Sequence, residues 1–137
     1  MRRTITRLVA SYKKKAGITI PVDVRFVRRH MHPPAVTHIT LDTHSGKATH
    51  AVISIDPVHF ERTAQKSEKS TDIYLKYAIA HEIAHIRNVE RLGYKSFRVS
   101  KKKLESYADR KAFDITKHGG RQTQHAIDAL QRRFKTK

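Results

Sequence analysis

The chain has 137 residues and contains no cysteine, no tryptophan, two methionines, five glycines and four prolines. Without cysteine there are no disulfides, no thiolate metal ligands and no thiol nucleophile, so any metal must be held by His, Asp or Glu. Acidic residues are also scarce: 12 Asp+Glu face 29 Lys+Arg, a formal net charge of +17. Such an excess favours a polyanionic partner, whether nucleic acid, an acidic protein or an anionic membrane surface. Plain solubility is the alternative, and no nucleic-acid-binding motif accompanies the charge. Long hydrophobic runs are missing too, since His, Asp or Lys interrupts every apolar stretch within a few residues, so no membrane span is expected. Leu8-Val9-Ala10, after Met1-Arg2-Arg3, is too short for a signal-peptide core. The acid-free start up to Asp23 has the composition of a mitochondrial presequence or of a basic amphipathic helix. A cytoplasmic protein is the default expectation.

What is present suffices for one domain over residues 1–137, rather polar at a mean hydropathy of −0.63 but long enough to bury a core. Residues 4–15 read as a helix with Ile5, Leu8, Val9 and Tyr12 on one face, closed by Gly17. Alternation predicts a strand over residues 20–27, and a β-branched run predicts another over 36–41. The turn Asp42-Thr43-His44-Ser45-Gly46 then leads into a third strand over 48–55. Pro57 opens a short helix, and residues 65–71 form a polar linker. A helix capped by Thr71 or Asp72 runs to Gly93, with Leu75, Ile79, Ile83 and Ile86 as its buried stripe. Tyr74, Tyr77, His81, His85 and Asn88 make an adjoining polar stripe. Further helices are expected over residues 100–117 and from Gln122 onward.

The chemistry concentrates at His81-Glu82-Ile83-Ala84-His85. On a helix, histidines at i and i+4 stand one above the other and can share a divalent ion, with Glu82 in reach of a metal-bound water. Chance gives such a pattern roughly 0.03 times in a chain this rich in histidine. A catalytic zinc needs a third protein ligand and an open position. Asn88 and Arg91 occupy the places where metzincins carry Gly and a third His, which excludes that subclass. Glu105, 20 positions after His85, is the better candidate. Asp109, one turn further along, can accept the outer N–H of a ligating imidazole. The plainer alternative for both acids is an exposed helix face pairing with Lys101, Arg110 and Lys111.

HEIAH followed by Glu105-Ser106-Tyr107-Ala108-Asp109 on the next helix resembles the gluzincin metallopeptidases, the thermolysin-like and HtpX-like branch. The chain looks most like their minimal members, over about residues 48–116. The resemblance implies a zincin-like α+β fold. A small antiparallel or mixed sheet of about three strands would pack on an active-site helix and two further C-terminal helices. It implies one catalytic zinc ion held by His81, His85 and Glu105, Glu82 as general base, Asp109 as the group orienting a ligand, and a polypeptide substrate. Thermolysin-like enzymes steady the oxyanion with a downstream histidine. No motif marks its equivalent here, so His118 and Tyr107 stand as candidates, with His125, Tyr74, Tyr77 and Tyr94 competing. The strand over residues 49–55 is the expected rim of the substrate cleft, its free edge open to an extended substrate, and the basic tail from Arg132 is a candidate cleft plug. A second reading is a nucleic-acid-associated (SprT-like) or regulatory (ImmA-like) zincin whose main role is binding DNA or a partner protein. A third keeps the zinc for structure alone.

Overall fold

A computed structural model of the chain describes residues 2–28, 35–66 and 71–116. Helix α1 (Arg2–Ala16) turns Ile5, Val9, Tyr12 and Ala16 inward and its cations outward. Gly17, at φ 74°, stops it in a conformation that costs other residues energy. With those four side chains in the hydrophobic core and its inner face on the central helix, α1 is a structural helix of the fold.

Strands β1 (Val22–Phe26), β2 (Ala35–Leu41) and β3 (Ala48–Ile55) form a mixed sheet in the order β1-β3-β2. β2 pairs antiparallel with β3 through the expected turn, and β1 adds in parallel on the other side. In the turn, Asp42 accepts hydrogen bonds from the His44 N–H and the Ser45 hydroxyl, which hold its carboxyl below the usual range. Register places Ile53 between Val24 and Thr37, and Ile55 between Phe26 and Ala35, so these residues share the inner face. β3 is therefore central, and the expectation that it rims a cleft with a free edge is corrected. Its two edges are both occupied, and Ala51, Ile53 and Ile55 have no exposure. The edge strand beside the motif helix is β2.

Helix α2 (Pro57–Lys66) begins under an unforeseen cap, the buried Asp56, whose carboxylate accepts from the Val58 and His59 N–H groups. Helix α3 (Thr71–Leu92) is the axis of the fold, packed by α1, α2, the sheet and α4 (Lys101–Thr116). Its expected stripe is buried, and so are Tyr74, Tyr77, His81 and Asn88 in the adjoining row. A 3-10 helix (Gly93–Arg98), absent from the sequence reading, joins α3 to α4, where Ser100 accepts the Lys103 N–H as cap. The α+β class and the three-stranded sheet agree with expectation. Of the two helices expected after α3, α4 is present. The readings that concern the side chains of Thr71 and Asp72, residues 67–70, His118, His125, the helix from Gln122 and the tail from Arg132 lie outside the described residues and side chains. Among the described residues no helix is long and apolar enough to cross a membrane.

Candidate metal centre

The i,i+4 spacing on α3 sets the His81 and His85 rings edge to face, centroids 4.7 Å apart, with their Nε2 atoms 3.1 Å apart. Packing of α4 on α3 brings Glu105 to the same point. Its Oε2 lies 2.9 Å from His81 Nε2 and its Oε1 lies 3.3 Å from His85 Nε2. Zinc bonds of about 2.0–2.1 Å in a tetrahedron separate neighbouring donors by about 3.4 Å. Separations of 2.9, 3.1 and 3.3 Å therefore suit one small divalent ion, and this cluster can hold a metal. The donor set of two imidazoles and one carboxylate is what a cysteine-free chain has to offer.

Behind His81 lies Asp109, one turn beyond Glu105 on the same face of α4. Its Oδ1 is 3.1 Å from His81 Nδ1 and accepts the Tyr77 hydroxyl at 2.8 Å. The pairing of Glu105 and Asp109 with surface cations is thus replaced by contacts to α3. Asp109 fixes the ring so that Nε2 faces the centre. Tyr77, a competing candidate for the oxyanion in the sequence reading, instead donates to Asp109. Burial, then the nearby Asp109 charge, push its phenol well above its ordinary pKa, so it remains a donor.

The electrostatics of the cluster favour positive charge. Burial opposes a charged His81, yet hydrogen bonds to Asp109 and Glu105 and the nearby Glu82 outweigh it, and its pKa is pushed up to about 10. Burial alone would raise Glu105, but the bonds and charges of His81 and His85 hold it well below the carboxylate range. The carboxylates around His81 thus favour a proton on its ring.

Glu82 lies beside the pair, 8% exposed, and accepts a hydrogen bond from the Thr37 hydroxyl of β2. Thr37 shares the inner face with Ala35 and Ile39, a hydroxyl in an otherwise apolar row, and that break in the pattern was the readable signal. Tyr107 does not join the cluster. Two residues on from Glu105 it points about 200° around the helix. Its ring there carries the Arg91 guanidinium 5.6 Å from the centroid. Tyr77 is committed to Asp109, and Tyr94 packs on Phe97 with centroids 6.0 Å apart. Compared with protein-family models, curated proteins and solved structures, the chain matches none.

Proposed function

We propose that this protein is a zinc-dependent metalloendopeptidase of the zincin type, with the Glu-ligand set of gluzincins. The convergence of His81, His85 and Glu105, with Asp109 behind His81 and Glu82 alongside, is the observation that carries the reading. His81, His85 and Glu105 are the groups that would hold the ion. When bound, zinc supplies a Lewis acid that polarises the scissile carbonyl and brings the pKa of water toward neutrality.

The remaining chemistry belongs to the chain. Glu82 takes the proton of the attacking water and returns it to the leaving amine, which needs a carboxylate aimed by a fixed partner; Thr37 is that partner. Asp109 and Tyr77 keep the His81 ring in its ligating orientation. An extended polypeptide can pair with the outer edge of β2 through backbone hydrogen bonds, a mode that imposes little side-chain preference. A site holding zinc for structure alone has no use for a general base, and Glu82 supports hydrolysis over that reading.

Glu82→Gln tests the proposal. The variant should bind zinc as the parent does while cleaving a denatured protein substrate about 10²–10⁴-fold more slowly. Parent-level cleavage by the variant, or a parent chain that takes up no zinc, overturns the reading.

A further inference from the structure

Between Glu90 and Glu105 the chain carries six cations, Arg91, Lys95, Arg98, Lys101, Lys102 and Lys103, and no acid. The end of α3, the 3-10 helix (Gly93–Arg98) and the start of α4 display this run on the surface. Lys95, Arg98 and the three lysines are exposed and make no ion pair among the described residues. The lysines also occupy the first turn of α4, where the helix dipole disfavours cations, so helix stability gives no reason for them.

Two aromatic rings stand among these cations. Phe97 is 75% exposed and Tyr94 44%, and their centroids lie 6.0 Å apart at an interplanar angle of 35°. Val58 of α2 is the other large apolar side chain left exposed among the described residues. The platform is braced from beneath. The Tyr94 ring lies so close over Gly46 that a Cβ there would come within 2.6 Å of it, and a Cβ on Gly93 would meet the Gly46 carbonyl oxygen at 2.4 Å. The β2–β3 turn thus holds the Tyr94 ring in place, and the exposed Lys47 belongs to the same turn. Arg91 and Tyr107, guanidinium on ring, extend the cation-and-aromatic surface along α3 and α4.

We propose that this surface binds single-stranded nucleic acid, with the cations following the phosphate backbone and Phe97 and Tyr94 stacking on unpaired bases. Base faces are hidden in a duplex and open in a single strand, so exposed rings select the latter. Two exposed rings offer too little apolar area to anchor in lipid, which weighs against a membrane surface. The proposal stands apart from the hydrolytic reading: the platform contributes no ligand to the metal centre.

The full-length chain, with chelator present, is titrated against labelled oligothymidylate, oligouridylate and a duplex, each of about 20 nucleotides. Single strands should bind more tightly than the duplex, and the thymidylate and uridylate arms report whether DNA or RNA is preferred. Phe97→Ala should weaken single-strand binding about 5- to 150-fold. It should leave thermal unfolding and zinc affinity unchanged. Replacing Lys101, Lys102 and Lys103 by Gln should reduce the slope of log affinity against log salt by about 2. Equal binding of single strand and duplex with no effect of Phe97→Ala overturns the proposal in favour of general polyanion attraction. Phe97-dependent binding to phosphatidylserine vesicles without oligonucleotide binding overturns it in favour of a membrane. A dimer in light scattering that Phe97→Ala dissociates, again without oligonucleotide binding, assigns the rings to self-association.

Discussion

If the proposed centre holds zinc through His81, metal and proton compete for the same nitrogen, whose pKa is raised. With the His81 pKa pushed up to about 10, the metal-free chain at pH 7 holds a neutral His81 in about one molecule in a thousand. At pH 9 the fraction is about one in ten, so zinc affinity should rise about a hundredfold between the two. Glu105 adds nothing to this slope, because its carboxyl is held ionised throughout. Competition with a chromophoric chelator, corrected for the chelator's own protonation, should give log affinity rising by about one per pH unit between about pH 7.5 and 9. An imidazole titrating near its ordinary value of about 6.5 would give a flat line there, and a flat line refutes the reasoning. Stability without metal should move the opposite way. The raised His81 pKa contributes stability that is complete below about 6.5 and lost as pH rises through about 10. The lowered Glu105 contributes stability present above its ordinary 4.5 and lost as the medium becomes more acidic. Thermal unfolding from pH 7 to 10 should therefore fall with chelator present and fall less, or rise, with zinc in excess.

Thr37→Val keeps the shape of the inner sheet face but removes the donor to Glu82, so turnover should drop about tenfold or more with zinc affinity unchanged, measured by steady-state kinetics and metal titration. Glu90 accepts from the Thr19 N–H and hydroxyl and the Ile20 N–H, tying the segment before β1 to α3. Glu90→Ala should cost about 2 kcal/mol in denaturant unfolding and leave zinc binding intact. Gly93 has φ 58°, and a Cβ on it would meet the Gly46 carbonyl oxygen at 2.4 Å. Gly93→Ala should therefore destabilise by about 2 kcal/mol or more, seen as a lower melting temperature.

What local pattern can encode was legible in the sequence. The alternation of Ala51, Ile53 and Ile55 located β3 to the residue, and the i,i+4 stripe from Leu75 to Ile86 located the buried face of α3. Gly17 and Gly93 ended their helices because both need positive φ. Glu105 and Asp109 were found because ligand chemistry demanded a carboxylate on the following helix. Strand order was not legible, since the parallel addition of β1 to β3 is a choice between distant segments with equal hydrogen-bonding capacity. That choice placed β2, not β3, next to Glu82. The cap at Asp56 and the anchor at Glu90 were missed for a related reason. Each is one acid among a dozen, distinguished only by which N–H groups the fold brings to it.

The centre divides its tasks between separate elements, and this makes its failures separable. The proposed donors to an ion come from α3 and α4, two helices packed directly on each other, with Asp109 and Tyr77 linking them again behind His81. Thr37, the partner of the proposed general base Glu82, comes from the sheet edge. A change in the α3–α4 packing shifts donors by fractions of an ångström and should appear first as metal loss, because coordination tolerates little displacement. A change in how β2 lies on α3 leaves the donors alone and turns Glu82, so it should appear first in turnover at full metal occupancy. Ala108 and Ala112, both fully buried on α4, are the places to disturb the first, and Ile39 of β2 the second. Ala112→Val should lower zinc affinity more than it lowers the turnover of zinc-saturated protein, and Ile39→Ala the reverse. Equal loss of both quantities in both variants would show that the centre moves as one body and that this division of labour is wrong.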